Sequence, residues 1–307
     1  MNLNQTVLYH LRVWAISLSL CFCFGFSVHA QTITLQVISK EVSKNMEYSE
    51  GQTLSVEGEK SNVNITTWTD DYIQIELKLT AQHPKRVVAE QDLEKFIYSF
   101  DSNADTIFIT NQITEKEETL RSGLQAHYDI KVPESCNVKL ENYFGTAELT
   151  DLSQGVDVNS EFCNLKLKNV LGTVNVDTYY GDLIGVMIDG KVNIKANRSN
   201  VTLSEISGSY NIDAYKGIVK VYANQSLLEN LNIRGEKTDV FFYDTELRGY
   251  SFDLTSRNGN VELPDHLEAN YSKQDEIRTI NIQPQAELIG VRVAINVISG
   301  DIMLESR

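Results

Sequence analysis

Residues 174–191 read VNVDTYYGDLIGVMIDGK, and residues 192–209 read VNIKANRSNVTLSEISGS. The two lines align without a gap at a step of eighteen, and that step decides the fold. Extended over Asn137 to Tyr222, it sets an apolar residue at Val138, Val156, Val174, Val192 and Tyr210. A second falls two places on, at Leu140, Val158, Val176, Ile194 and Ile212. Nine residues after the first comes another pair: Ala147 and Leu149, Leu165 and Leu167, Leu183 and Gly185, Val201 and Leu203, Val219 and Val221. Leu152, Val170, Ile188 and Ile206 add a third apolar mark, and Gly172, Gly190 and Gly208 close units.

Apolar–polar–apolar triplets are the mark of a short strand with one buried face. Gly, Asn, Asp and Ser around them suit tight corners. One such unit cannot enclose a core, but stacked copies can, each layer pairing with the next about 4.8 Å away through parallel hydrogen bonds. Each layer then buries about five apolar side chains, worth roughly 1.5–3 kcal/mol apiece before chain entropy is subtracted. The expected fold is therefore all-β: a single-stranded parallel β-helix, or β-solenoid, of about 18-residue coils. A left-handed helix of hexapeptides does not fit, because six-residue steps from Val192 reach Arg198 and Ser204.

The pattern resumes at Leu231 and Ile233, then Val240 and Phe242, with Leu247 and Gly249 closing the unit. Phe252 and Leu254, then Val261 and Leu263, predict the next coil. These later units are twenty-one residues apart, so each should carry about three extra residues at a corner. A slower rhythm of thirty-six also shows. Tyr143-Phe144-Gly145, Tyr179-Tyr180-Gly181 and Tyr215-Lys216-Gly217 alternate with Glu161-Phe162-Cys163 and Asn197-Arg198-Ser199, as duplication of a two-coil unit would give. Glycine in that column predicts a backbone with positive φ.

Before the repeat, the triplets Leu54-Ser-Val56 and Val63-Asn-Ile65 already show the nine-residue half step. Ile33, Leu35 and Val37 alternate as in an edge strand, and a longer strand runs through Ile73, Ile75, Leu77 and Leu79. Pro84 to Phe96 breaks the alternation: Val88 or Ala89, Leu93 and Phe96 fall at helical spacing, with Glu90, Asp92, Glu94 and Lys95 on other faces. A short amphipathic helix, about 85–97, should cover an open end of the sheet, as terminal coils require. Thr114 to Gly123, with Glu115, Glu117, Glu118 and Arg121, reads as a solvated loop. After Pro264 the chain turns irregular around Asp275, and Val291 to Leu304 supplies a final strand pair expected to cap the far end.

The first thirty residues carry Arg12 as their only charged side chain, an apolar run from Val13 to Val28, and Val28-His29-Ala30 before Gln31. This is the pattern of a cleavable export signal. The organisation read from the sequence is a signal over 1–30, a β-rich region with its helix over 31–132, and the solenoid with its cap over 133–307. The whole chain carries a net charge of −15, and removal of the signal leaves it one unit more acidic. Nucleic acid and anionic membranes, which demand basic patches, are thereby disfavoured as partners.

Two cysteines follow the signal. Cys136 and Cys163 fall in columns nine residues apart, too far round a coil for a disulfide. His83, His127 and His266 are scattered without ligand spacing, so no metal or cofactor is expected. No G-x-S-x-G, H-E-x-x-H or Gly-rich phosphate loop is present. Asp157, Asp177 and Asp213 imitate the carboxylate cluster of polysaccharide-degrading β-helices, but Lys195 interrupts their column. The stronger candidates are two outward columns. Asn175, Asn193 and Asn211 continue a polar row that includes Lys139, Asp157, Asn232 and Asp253, where amides should bond in line. Tyr143, Tyr179 and Tyr215 recur every second coil, about 9.6 Å apart, a spacing along which a sugar polymer could stack.

Val56-Glu57-Gly58, Val63-Asn64-Ile65, Tyr128-Asp-Ile-Lys-Val-Pro133, the predicted helix and Ser299-Gly300-Asp301-Ile302 together resemble the exported bacterial DUF4097-like group, named for adhesion. The resemblance spans most of the chain after the signal and implies no catalytic residues. The expectation is a non-enzymatic, monomeric, exported protein of the periplasm or cell surface, an adhesin-like or scaffold module whose partner is a glycan or an envelope protein. A polysaccharide-binding or polysaccharide-degrading β-helix is the alternative.

Overall fold

The computed structural model describes residues 34–114, 119–267, 269–274, 276–283 and 291–306. The expected export signal over 1–30, Ile33, Glu115, Glu117, Glu118 and Asp275 lie outside the described residues. In chain order, β1 (Gln36–Glu47), β2 (Thr53–Glu59), β3 (Ser61–Trp68) and β4 (Tyr72–His83) precede helix α1 (Arg86–Leu93). β5 (Phe96–Ser102), β6 (Thr106–Ile113) and β7 (Gly123–Pro133) lead into β8 (Asn137–Leu152), β9 (Val156–Tyr179), β10 (Leu183–Asn197), β11 (Val201–Ser204), β12 (Ser207–Tyr222) and β13 (Leu228–Asp244). β14 (Tyr250–Arg257), β15 (Val261–Glu262), β16 (Asn270–Gln274), β17 (Ile277–Ile282), β18 (Val291–Ile298) and β19 (Ile302–Ser306) complete the chain.

The protein is all-β with one short α-helix, and its strands form a single hydrogen-bonded sheet of mixed parallel and antiparallel pairs. From β8 to β12 the pairing is parallel at the step seen in the sequence: Val138 opposite Val156, Val174 opposite Val192, Val192 opposite Tyr210. These residues, with Leu140, Val176, Ile194 and Ile212, are buried, while the residues between them face outward. Tyr210 fills a position that is valine in the four preceding units. Its hydroxyl donates to the Ile188 carbonyl at 2.6 Å, which satisfies the polar tip of an otherwise buried ring.

The parallel order differs from the chain order at both ends. β2–β3 lies between β6–β7 on one side and β8 on the other. At the far end β18–β19 enters between β13 and β14–β15, so Ile295 faces Ile233 on one edge and Leu254 on the other. The twenty-one-residue spacing therefore has two outcomes. Leu231 does pair with Tyr210, with a register shift between Gly208 and Ser209 and the extra residues in the turn around Ala223–Leu227. Phe252 does not stack on Leu231, and the last strands are an inserted layer rather than a cap.

The sheet is also not purely parallel. Antiparallel strands close each end: β4 pairs with β7, β1 with β4 and β5 with β6, while β17 pairs with β14 and β16 with β17. Such pairing satisfies edge groups that would otherwise recruit another chain. Helix α1 packs on β1 and β4 and is shorter than the sequence predicts, since Phe96 already belongs to β5. Asp92 departs from the expected outward orientation. Fully buried, it accepts from the backbone N–H groups of Arg121 and Ser122 at 3.0 and 2.9 Å and pairs with Lys95 and Arg121, both at 3.4 Å.

The corner between the two strands of each unit explains the thirty-six-residue rhythm, though not as the sequence suggests. Positive φ falls one place earlier than the glycines, at Lys60, Phe144, Phe162, Tyr180, Arg198, Lys216, Lys237, Ser299 and Asn258. The next column reads Ser61, Gly145, Cys163, Gly181, Ser199, Gly217, Thr238, Gly300, Gly259 along the stack. Glycine is needed there for clearance. A Cβ on Gly145 would lie 2.0 Å from the Ser61 carbonyl oxygen, on Gly181 1.9 Å from that of Cys163, and on Gly217 2.2 Å from that of Ser199. Side chain and glycine alternate from Ser61 to Gly300, each glycine lying against the carbonyl of the layer beneath; Gly259 lies on Gly300 in the same way.

Gly181→Ala should therefore cost about 3 kcal/mol. Glu205→Asn, at another exposed positive-φ position, should gain about 0.5–1 kcal/mol, because Asn tolerates that conformation. Urea unfolding midpoints check both. For Asp92, burial raises the carboxyl pKa, but the bonds from Ser122, Arg121 and Lys95 outweigh it and hold the group below the usual range. Its contribution is thus present above the unfolded-state value of about 3.9 and is lost as pH falls through the lower folded value. Asp92→Ala should cost about 3 kcal/mol at neutral pH, and the gap to wild type should shrink on acid titration followed by tryptophan fluorescence.

Candidate ligand groove

Outward residues of the first strand form columns up the stack. The second position of each unit carries Asp157, Asn175, Asn193, Asn211 and Asn232, and their side chains bond in line. Asn175 donates to Asp157 at 2.6 Å, Asn193 to Asn175 at 2.9 Å, Asn211 to Asn193 at 3.4 Å and Asn232 to Asn211 at 3.5 Å. The row stops there, because Ala294 of the inserted β18 separates Asn232 from Asp253. The expected amide ladder is thus present from Asp157 to Asn232, and its amides are largely engaged with each other. A shallow depression beside it, about 300 Å³, is lined by Lys139, Asp157, Asn175, Asn193 and Lys195 among others.

The fourth and sixth positions enclose a larger open groove of about 790 Å³. Its floor is the column Asn159, Asp177, Lys195, Asp213, Arg234 and Asn296. The charges alternate in sign and pair: Lys195 with Asp177 at 3.7 Å, Arg234 with Asp213 at 3.6 Å. Its wall carries Tyr179, Asn197, Tyr215, Glu236 and Ile298. Tyr179 is 48 % exposed, and Asn197 Nδ2 donates to its hydroxyl at 2.8 Å, which steadies the ring.

Of the residues singled out from the sequence, Tyr179 and Tyr215 share this groove, and Asn175 and Asn193 flank it in the smaller depression. Asn211 belongs to the ladder without lining either, and Tyr143 lies on the same column two layers from Tyr179, outside the groove. Asp157, Asp177 and Asp213 do not converge: the first belongs to the amide row, and Lys195 stands between the other two. Among the described residues no three His, Cys, Asp or Glu side chains gather as a metal site would need.

Sequence reading missed the corner residues beside these tyrosines. Phe144, Phe162 and Tyr180 are 47, 44 and 42 % exposed, and their rings stack at centroid distances of 5.0 and 4.8 Å. Arg198 continues the pile 5.2 Å from the Tyr180 ring, and Lys216 and Lys237 lie over Tyr215 at 5.3 and 5.7 Å. Stacking contributes about 0.5–1.5 kcal/mol per aromatic pair, offsetting part of the roughly 1–2 kcal/mol that a left-handed backbone costs each residue. The signal lay in the eighteen-residue alignment, one place before the glycines.

A second row of side chains holds the corner's far side. Asn164 accepts from the Asp182 N–H, Asp182 from the Asn200 N–H and Asn200 from the Ile218 N–H, at 3.0–3.2 Å. Beneath the corner, Cys163 is buried and takes a bond from Asn142 Nδ2 at 3.1 Å. Cys136 is likewise buried, and both cysteines are free. Burial pushes both thiols up to about 11. Ellman's reagent at pH 8 should therefore leave both unmodified in the native protein, and titrate them only in denaturant.

No family model matches the sequence, and no curated protein matches it. Among solved structures, a "putative adhesin" from Bacteroides fragilis is 10 % identical over 87 % of this chain and 97 % of its own, with a TM-score of 0.44. A "putative lipid binding protein" from Parabacteroides distasonis is 10 % identical over 88 % and 97 %, also at 0.44. A "putative cell adhesion protein" from Clostridium sporogenes is 13 % identical over 87 % and 99 %, at 0.25. Likeness at this level assigns no role to this chain. No helix among the described residues is long and apolar enough to cross a membrane.

Proposed function

We propose that the chain is an exported, non-enzymatic β-solenoid that acts as an adhesin-like or envelope interaction module, with the Tyr179–Tyr215 groove as its binding surface. The observation that carries this reading is the groove itself, an open channel of about 790 Å³ along a regular face, with the exposed Tyr179 and half-buried Tyr215 on one wall and amides on its floor and wall. An extended polymer fits a surface whose backbone repeats every layer, because successive units of the polymer meet successive layers. Tyrosine supplies a flat apolar face with a polar tip, and Asn159, Asn197 and Asn296 supply both donors and acceptors for hydroxyl groups. The DUF4097-like resemblance and the export signal support the same placement outside the cytoplasm. The paired state of Asp177 and Asp213 favours binding over hydrolysis.

The test is a glycan array and whole-cell binding screen with wild type and Tyr179→Ala/Tyr215→Ala. The double variant should stay folded, with an unfolding midpoint within about 1–2 kcal/mol of wild type, since Tyr179 is exposed and Tyr215 half-buried, and should lose most of its binding. Tyr143→Ala should bind as wild type does. Ligand recovered at its original length after incubation separates binding from cleavage.

A further inference from the structure

We infer that the polymer bound in this groove is an anionic glycan, one carrying carboxylate or sulfate groups, and that Arg198, Lys216 and Lys237 recognise those groups. The inference rests on the groove reading above and adds the ligand's charge. These three cations occupy consecutive layers at the corner that forms the groove's tyrosine wall, so neighbours are about 4.8 Å apart and the outer two about 9.6 Å. They border the groove rather than line it, and differ from the cations that do line it. Lys195 and Arg234, on the floor, each pair with an aspartate. Arg198 and Lys216 have no carboxylate within ion-pair distance among the described residues, and Lys237 reaches Glu236 only at 4.0 Å. In a chain whose acids outnumber its bases 42 to 27, cations held over tyrosine rings rather than beside acids are a local reversal of charge.

Their backbone gives a second, independent argument. All three sit at positive φ, where asparagine or glycine would fold with less strain, as Asn258 does in the same column. The corner therefore does not require a cation for its shape. The left-handed turn recurs at every corner and belongs to the fold, so what is left to explain is the choice of a cation at three successive layers.

The tyrosines fix the ligand class further. Tyr215 already carries two ammonium groups over its ring, so an uncharged sugar would have to displace them, whereas an anionic one meets them where they lie. Tyr179 has no cation over its ring among the described contacts and offers its exposed face to the apolar side of a sugar. Asp177, Asp213 and Glu236 line the same groove, so the ligand's anionic groups must lie toward the cationic corner and its hydroxyls toward the floor. Charges spaced along a hydroxyl-rich chain satisfy the cations, the amides and the acids together.

The experiment compares binding of the full chain to polygalacturonate, dextran sulfate, neutral dextran and poly-L-glutamate, with wild type and Arg198→Asn/Lys216→Asn/Lys237→Asn. Asparagine removes the charge while suiting the backbone, so the variant should keep or raise its unfolding midpoint. Lys216→Glu alone serves as a second variant that leaves the ring stack intact. The inference expects binding to polygalacturonate or dextran sulfate, weakened about tenfold in the triple variant, weakened by Lys216→Glu, and weakened by added salt. Which of the two anionic polymers binds better identifies carboxylate or sulfate as the recognised group. Equal binding to neutral dextran, unchanged in the triple variant, overturns the anionic inference while the groove reading stands. Equal binding to poly-L-glutamate overturns the glycan assignment in favour of charge alone. No binding to any polymer overturns both.

Discussion

Everything in this structure depends on how closely successive backbones pass at the corner between the two strands of each layer. Parallel hydrogen bonding fixes the distance between layers, and the corner must turn within that distance. The turn is made by one residue in the left-handed region, followed by one that lies against the carbonyl beneath it. When that second residue has a side chain, it points inward and is buried, as Ser61, Cys163, Ser199 and Thr238 are. The layer above must then be glycine. From Ser61 to Gly300 this gives the step of thirty-six, with small buried side chains filling the space beneath the glycines; Ala126 beside Ser61 and Gly259 on Gly300 lie outside that alternation. Ser199 shows how such a residue also serves its neighbour, accepting the Gly181 N–H at 3.2 Å and donating to Asn197 at 3.1 Å.

The two ends solve a different problem by a shared device. A parallel stack leaves an open row of backbone donors and acceptors at each end, and such rows pair with whatever strand arrives. Here both ends finish in antiparallel strands, and at both ends a strand pair from near one end of the described chain is threaded inside the stack. β2–β3 and β18–β19 each have parallel partners on two sides. Residues far apart in sequence thereby hold the end layers together, and neither pair can leave without breaking two ladders at once. This arrangement raises the loop-closure cost of forming the ends, because the inserted layers can be completed only when the outer ones are in place.

The regular middle was legible in the sequence because one alignment expresses three physical demands together: alternation for burial, corner residues for the turn, and a constant step for the hydrogen-bond register. The amide row from Asp157 to Asn232 was legible for the same reason. The order of layers at the ends was not, since Phe252 and Leu254 carry the same inward pattern whether they stack on Leu231 and Ile233 or on Val293 and Ile295. Periodicity identifies what a residue faces and is silent on which copy lies beside it. Asp92 was misread for a related reason. Its spacing sets it on the polar side of a short helix, and only the tertiary approach of Arg121 and Ser122 makes that side an interior. Tyr179 and Tyr215 were identified by recurrence alone, whereas the cations next to them were passed over because Arg198, Lys216 and Lys237 share a charge but no residue type with Phe144, Phe162 and Tyr180.

That last column shows how a regular fold acquires a particular surface. The corner's shape asks only for a residue that accepts a left-handed backbone, so its side chain is released from the packing that constrains the strands. Aromatic rings use the freedom by stacking on one another, and the stack ends at Tyr180 because the next residue is Arg198. For three layers from there the same column is cationic, and it borders the groove where the wall presents Tyr215. The floor cannot play that part, since its alternating acids and bases satisfy each other across layers. On the proposed reading, a groove with a self-neutralised floor would discriminate at a rim where Arg198 and Lys216 are not paired with an acid among the described residues. The rim is the part of each layer that varies here without disturbing the core.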